Sequence, residues 1–140
     1  MNNMFRNCLN LREIDLTNLK TDKVKNMNCM FYLCDSLITI NFMNFNTSNV
    51  NFMNNMFYYC GKIKELNLTS FQTDKVISMN SMFNGCESLK DLNISSFRVN
   101  QSCSMKDMFG KCRSLTFLDV SQFNIPKDIK LISGIFKECS

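Results

Sequence analysis

The dipeptide Met-Phe returns every 26 residues, and that period restricts the chain to folds in which one short unit stacks on the next. It occurs at Met4-Phe5, Met30-Phe31, Met56-Phe57, Met82-Phe83 and Met108-Phe109. A further copy, Ile135-Phe136, follows after 27 residues. A Cys trails each Phe by three, at Cys8, Cys34, Cys60, Cys86, Cys112 and Cys139.

Other positions keep the same step. Leu11, Leu37, Ile63, Leu89 and Leu115 form one apolar row, and Ile14, Ile40, Leu66, Leu92 and Leu118 a second. Leu16, Phe42, Leu68, Ile94 and Val120 form a third, and Leu19, Phe45, Phe71, Phe97 and Phe123 a fourth. Val24, Val50 and Val76 share a position that Ser102 takes in the fourth copy. The chain of 140 residues therefore reads as a single array, residues 1–140, with repeats 4–29, 30–55, 56–81, 82–107 and 108–134 and a partial copy 135–140. The fifth copy gains a residue near Pro126, as expected of a loop insertion.

Within each unit the Leu-x-Leu segment alternates apolar and polar, as in Ile14-Asp15-Leu16, which predicts a half-buried strand. The stretch Val50, Met53, Met56, Phe57, Cys60 spaces apolar residues by three and four, which predicts a short helical or 3₁₀ turn. The expected fold is a repeat solenoid of leucine-rich-repeat type, with a parallel sheet of strands on one face and short helical turns on the other. One unit alone cannot bury its apolar face, so stability belongs to the array. Neither end carries a polar cap, which leaves further repeats or end-to-end packing open.

These elements, Met-Phe-x-x-Cys, Leu-x-x-Leu-x-Leu, Phe-x-Thr and Val-x-x-Met, resemble the BspA-like leucine-rich repeat surface proteins. The segment Leu68-Thr69-Ser70-Phe71-Gln72-Thr73-Asp74-Lys75-Val76 through Met82-Phe83-Asn84-Gly85-Cys86 is the clearest copy. The resemblance covers nearly the whole chain. It implies a cell-surface or secreted protein that takes part in adhesion or host interaction. The sequence shows no signal peptide, lipobox or wall anchor, so a cytoplasmic interaction scaffold is the alternative.

Composition sets further bounds. Sixteen basic and twelve acidic residues give a net charge of +4, spread along the chain without a basic block. Nucleic acid is therefore not an expected partner. No run of 18 apolar residues exists, so no membrane span is expected. There is no His, which removes the commonest general base, and only four Gly, with no phosphate-binding loop. No catalytic residue, cofactor or metal site is assigned, and the chain is not expected to be an enzyme.

The eight cysteines include no C-x-x-C pair. The six in the repeat row are expected to be buried free thiols, which pack as small hydrophobes. Cys29 and Cys103 stand outside that row and are expected to be partly exposed. The best binding surface is the outward face of the strands. Its candidate residues are Glu13, Asp15, Asn41, Met43, Glu65, Asn67, Asp91, Asn93, Phe117 and Asp119. The expected partner is a protein or glycoprotein. The sequons at Asn46, Asn67, Asn93 and Asn100 are read as by-products of the repeat.

Overall fold

Successive copies lie on one another with their backbones hydrogen-bonded in register. The structure is a computed structural model that describes residues 1–139; Ser140, the last residue of the partial copy, lies outside them. The Phe N–H of each copy donates to a carbonyl of the next: Phe5 to Met30, Phe31 to Met56, Phe57 to Met82, Phe83 to Met108 and Phe109 to Ile135, each at 2.9 Å. The offset is 25 residues until the last pair, where it becomes 26. The extra residue is taken up between Asn124, which still bonds Val99 at offset 25, and Leu131, which accepts from Met105. That stretch holds Pro126 and a 3₁₀ turn, η1 (Ile129–Leu131), capped by Asp128.

Four short strands form where the Leu-x-Leu alternation predicts them: β1 (Glu13–Asp15), β2 (Thr39–Asn41), β3 (Glu65–Asn67) and β4 (Asp91–Asn93). They pair in parallel two by two, β1 with β2 and β3 with β4, always residue i opposite residue i+26. In the fifth copy the same segment, 117–119, forms no strand. A second line of single bridges, Asn26–Phe52–Ser78–Ser104, runs elsewhere along the copies at the same step.

The face predicted to be helical is built differently. Its N–H groups alternate between two kinds of partner. Met30, Tyr32 and Cys34 close turns onto Met27, Cys29 and Phe31 three residues back. Cys29, Phe31 and Leu33 donate instead to Asn54, Met56 and Tyr58 of the next copy. A helix would spend every one of these donors within its own copy. Here half of them join copies, and the segment becomes a chain of overlapping β-turns. The turns require left-handed backbone at two positions per copy, Cys29 and Leu33 where the first copy passes into the second and Asn55 and Tyr59 where the second passes into the third. In the fourth, the second of these positions is Gly85 (φ +80°). A Cβ there would stand 2.7 Å from the Tyr59 ring, so a side chain would have to displace the ring.

The core fills by repetition. Phe5, Phe31, Phe57, Phe83, Phe109 and Phe136 form one continuous stack, with centroids 5.4–5.6 Å apart and rings within 4–13° of parallel. Phe45, Phe71 and Phe97 form a second stack, and Phe42 meets both edge-on. Polar ladders run alongside. Buried Thr47 donates through Oγ1 to the Gln72 carbonyl (2.9 Å) and accepts from the Gln72 N–H (2.8 Å). Thr73 treats residue 98 in the same way. Asn28, Asn54 and Asn80 each accept, through Oδ1, the N–H found 26 residues on. Buried polar groups thus find partners in the adjacent copy, which makes the stacking specific as well as cohesive.

The row thiols are free. Cys34, Cys60, Cys86, Cys112 and Cys139 each donate to a Phe carbonyl of the preceding copy, at 2.9–3.2 Å. Cys103 departs from the expectation of partial exposure, being wholly buried. The Asn100 side chain accepts from Ser102 N–H, and Cys103 N–H then bonds the Asn100 carbonyl as Val76 bonds Thr73. The chain has slipped by one residue, so Cys103 occupies the Val pocket while Ser102 turns to solvent. Burial pushes the Cys34 thiol up to about 11 and those of Cys103 and Cys112 up to about 12. Cys29 is half-buried, and burial raises its thiol against the pull of Arg6.

Two outcomes are expected. Phe71→Ala removes a ring stacked between two others, and should cost about 3–5 kcal/mol in chemical denaturation. A midpoint equal to the parent's would mean that this row is not core. In the folded chain at neutral pH, a maleimide should modify Cys29 well ahead of Cys34, Cys60, Cys86, Cys103 and Cys112. Rapid labelling of Cys103 without denaturant would contradict its burial.

Candidate functional site

The strand face displays the ten candidate residues, all of them exposed. One row has a local job. Asp15, Asn41, Asn67, Asn93 and Asp119 each accept, through Oδ1, the N–H two residues on, at 2.9–3.2 Å. These are Asx turns, and they bend the chain away as each strand segment ends. Thr17, Thr69 and Ser95 add a hydroxyl donor to the same oxygens. The N-x-S/T pattern at Asn67 and Asn93 is the sequence trace of this turn, and Asn46 and Asn100 make the same backbone bond to Ser48 and Ser102.

The side-chain and backbone donors of Thr17 hold the Asp15 carboxyl below its ordinary pKa, and the backbone and side chain of Ser121 do the same for Asp119. Only one oxygen of each of these side chains is needed for the turn.

The structure divides the candidates among three places. A groove of about 500 Å³ crosses the last three copies and gathers Glu65, Asn67, Asp91, Asn93, Phe117 and Asp119, with Lys90, Ser95 and Thr116 beside them. Phe117 is 78% exposed at its rim, the most exposed large apolar side chain on this face. A second groove of about 350 Å³ lies between β2 and β3 and holds Asn41, Met43 and Asn67 with Thr69 and Ser70. Glu13 and Asp15, on β1, line neither groove.

Both grooves open where the backbone pairing lapses. At the β3–β4 seam the Leu68 N–H bonds the Asn93 carbonyl, and the Lys90 and Asp91 N–H groups bond the Lys64 carbonyl. One copy further on, the corresponding donors, Ile94, Thr116 and Phe117 N–H, and the Lys90 carbonyl have no backbone partner among the described residues. Sequence periodicity could not show this, because the apolar rows continue unbroken through Leu118 and Val120.

A second surface feature lies on the turn face. The Arg6 guanidinium sits 4.7 Å over the Tyr32 ring, Tyr32 stacks on Tyr58 at 4.9 Å, and Lys111 Nζ donates to the Tyr59 hydroxyl at 2.9 Å. Arg6, Tyr32 and Tyr58 share one repeat position, so the 26-residue step already aligned them. Tyr32 thus has Arg6 and Tyr58 as its partners in the stack. The stack serves as a surface clasp between copies. No group of three His, Cys, Asp or Glu among the described residues is placed to hold a metal ion. No helix among them is long and apolar enough to cross a membrane.

Stacked strand-and-turn copies with a grooved polar face define the chain as a tandem-repeat protein. Its sequence matches the family described as "Mycoplasma protein of unknown function, DUF285" over residues 1–91 and 62–140, and the chain belongs to that family. No curated protein matches it.

The lowered carboxyls carry a pH signature. A depressed folded pKa contributes stability above the unfolded carboxylate value, and that contribution is lost as pH falls through the folded value. The thermal midpoint of the parent should therefore fall more steeply below about pH 4 than that of an Asp15→Asn/Asp119→Asn double variant, which keeps the Oδ1 acceptors without titrating. Superimposable pH profiles would show that these turns carry no charge-dependent stability.

Proposed function

We propose that the chain is a leucine-rich-repeat-type solenoid of the BspA-like kind, a non-enzymatic module that binds a protein or glycoprotein through its strand face at the cell surface. The observation that carries this reading is the convergence of six exposed strand-face residues, from three successive copies, on one groove. Repeat arrays commonly recognise partners in this way, because the repeat holds a long surface rigid while the outward positions vary freely. Polar hydrogen-bonding groups around one exposed aromatic make a typical recognition surface, since aromatic anchors contribute disproportionately to binding. The surface location follows from the resemblance to BspA-like proteins.

One observation favours a second reading. All eight cysteines are free, and chains that live in an oxidising exterior tend to pair their thiols. An intracellular interaction scaffold would use the same face.

Protease treatment of intact producing cells separates the two. Loss of the chain while cytoplasmic markers survive is the outcome expected of a surface module. Protection until lysis would sink the adhesion reading and leave the scaffold.

A further inference from the structure

We propose that Asn84-Gly85 is a deamidation site that the stacked fold holds closed and that opens when the turn face comes apart. It is the single Asn-Gly pair in the chain. Asn is a chemically labile residue, and its lability depends on the neighbour that follows. Glycine has no side chain to shield its amide nitrogen, so that nitrogen reaches the Asn side-chain carbonyl carbon more readily than a bulkier residue's does. The fold holds glycine at this point. Gly85 stands in the left-handed row Asn7, Leu33, Tyr59, Gly85, Lys111 and Glu138, and the Tyr59 ring takes the space its Cβ would fill, 2.7 Å away. A larger residue would have to displace that ring.

The step is a ring closure followed by hydrolysis. The Gly85 nitrogen loses its proton to solvent base and attacks the Asn84 side-chain carbonyl carbon. The bond from that carbon to the amide nitrogen breaks, and ammonia leaves. Water then opens the cyclic imide at either carbonyl. Opening at one gives an aspartate at position 84. Opening at the other gives an isoaspartyl residue, whose main chain runs through the side-chain carbons and is one carbon longer. Nothing is oxidised or reduced, and the co-reactant is solvent water.

In the folded chain the groups this step needs are engaged. The Gly85 N–H donates to the Gly110 carbonyl at 2.9 Å, and the Asn84 carbonyl accepts from the Tyr59 N–H at 2.8 Å. The side-chain amide, whose nitrogen must leave, donates to the Asp107 carbonyl at 3.3 Å. These bonds tie the pair to the copies on both sides. A strap spans it as well: Lys111 Nζ, one copy on in the same row, donates to the Tyr59 hydroxyl, one copy back, at 2.9 Å. Ring closure therefore waits for a local opening, and the population of the open form sets its rate. The isoaspartyl product does not fit back into this place. Its extra main-chain carbon lies between the rung to Tyr59 and the rung to Gly110, which adjacent residues supply. Time spent unfolded is thus recorded as a covalent lesion inside the array.

The test is a time course of the whole chain in mildly alkaline buffer, once folded and once held unfolded in guanidinium. The peptide containing Asn84 is quantified by mass spectrometry, with its aspartyl and isoaspartyl forms separated by chromatography. The folded chain is expected to react at least about tenfold more slowly than the unfolded one. Tyr59→Phe keeps the ring and removes the acceptor of the strap. It should raise the folded rate about two- to fivefold and leave the unfolded rate unchanged. Equal rates for folded and unfolded parent, or no isoaspartyl product in the unfolded chain, overturn the proposal. A folded Tyr59→Phe rate equal to the parent's overturns the role of the strap. Material aged in guanidinium and returned to buffer should leave its isoaspartyl fraction outside the folded peak on size exclusion, whereas Asn84→Asp, which adds the charge without the carbon, should enter that peak. Equal recovery of isoaspartyl and unmodified chains, or failure of Asn84→Asp to refold, overturns the claim that the lengthened backbone is what does not fit.

Discussion

Everything in this chain hangs on the hydrogen bond from one copy's Phe N–H to the Met or Ile carbonyl of the next. That bond fixes the offset between copies, and the offset puts like residues on top of like. Phe then stacks on Phe, Thr bonds across to the next copy, Asn accepts from the backbone N–H of the Asn one copy on, and the row thiols from Cys34 onward each reach a Phe carbonyl one copy back. The same bond decides what the turn face can be. A donor used between copies is not available within one, so the backbone resolves into turns and accepts left-handed residues at recurrent positions. Non-Gly residues in that region cost on the order of 1–2 kcal/mol each. They persist because the neighbouring copies over-determine the local geometry.

The sequence disclosed the period, the strand positions and the core rows, since all three depend on apolar spacing alone. It disclosed less of the turn face. Spacings of three and four at Val50, Met53, Met56 and Phe57 suit a helix and a series of β-turns equally, and only the destination of the N–H groups separates them. The slip at Cys103 was hidden for a related reason. Ser102 stands in the Val register by count, but the Asx turn at Asn100 moves the chain by one, and counting residues cannot register a turn.

The candidate face was legible as a list of exposed residues but not as a site. Periodicity gives every copy an equal claim, whereas the structure favours the last three. That preference comes from missing bonds between 90–94 and 116–120, which no side-chain pattern encodes. Nor did composition reveal that the Asp/Asn row builds turns. A polar residue in an outward strand position reads as solvent-facing, and its bond to the residue two places on emerges only when the backbone is seen to bend there.

That bond constrains shape while leaving charge open. Asp and Asn offer the same acceptor oxygen to the turn, and a single nucleotide substitution interconverts their codons. Along positions 15, 41, 67, 93 and 119 the array thus carries a two-letter alphabet, written here as Asp, Asn, Asn, Asn, Asp. A lineage can rewrite that word without disturbing the backbone that displays it. Duplicated copies of such a unit would diverge first in charge, and only later in form.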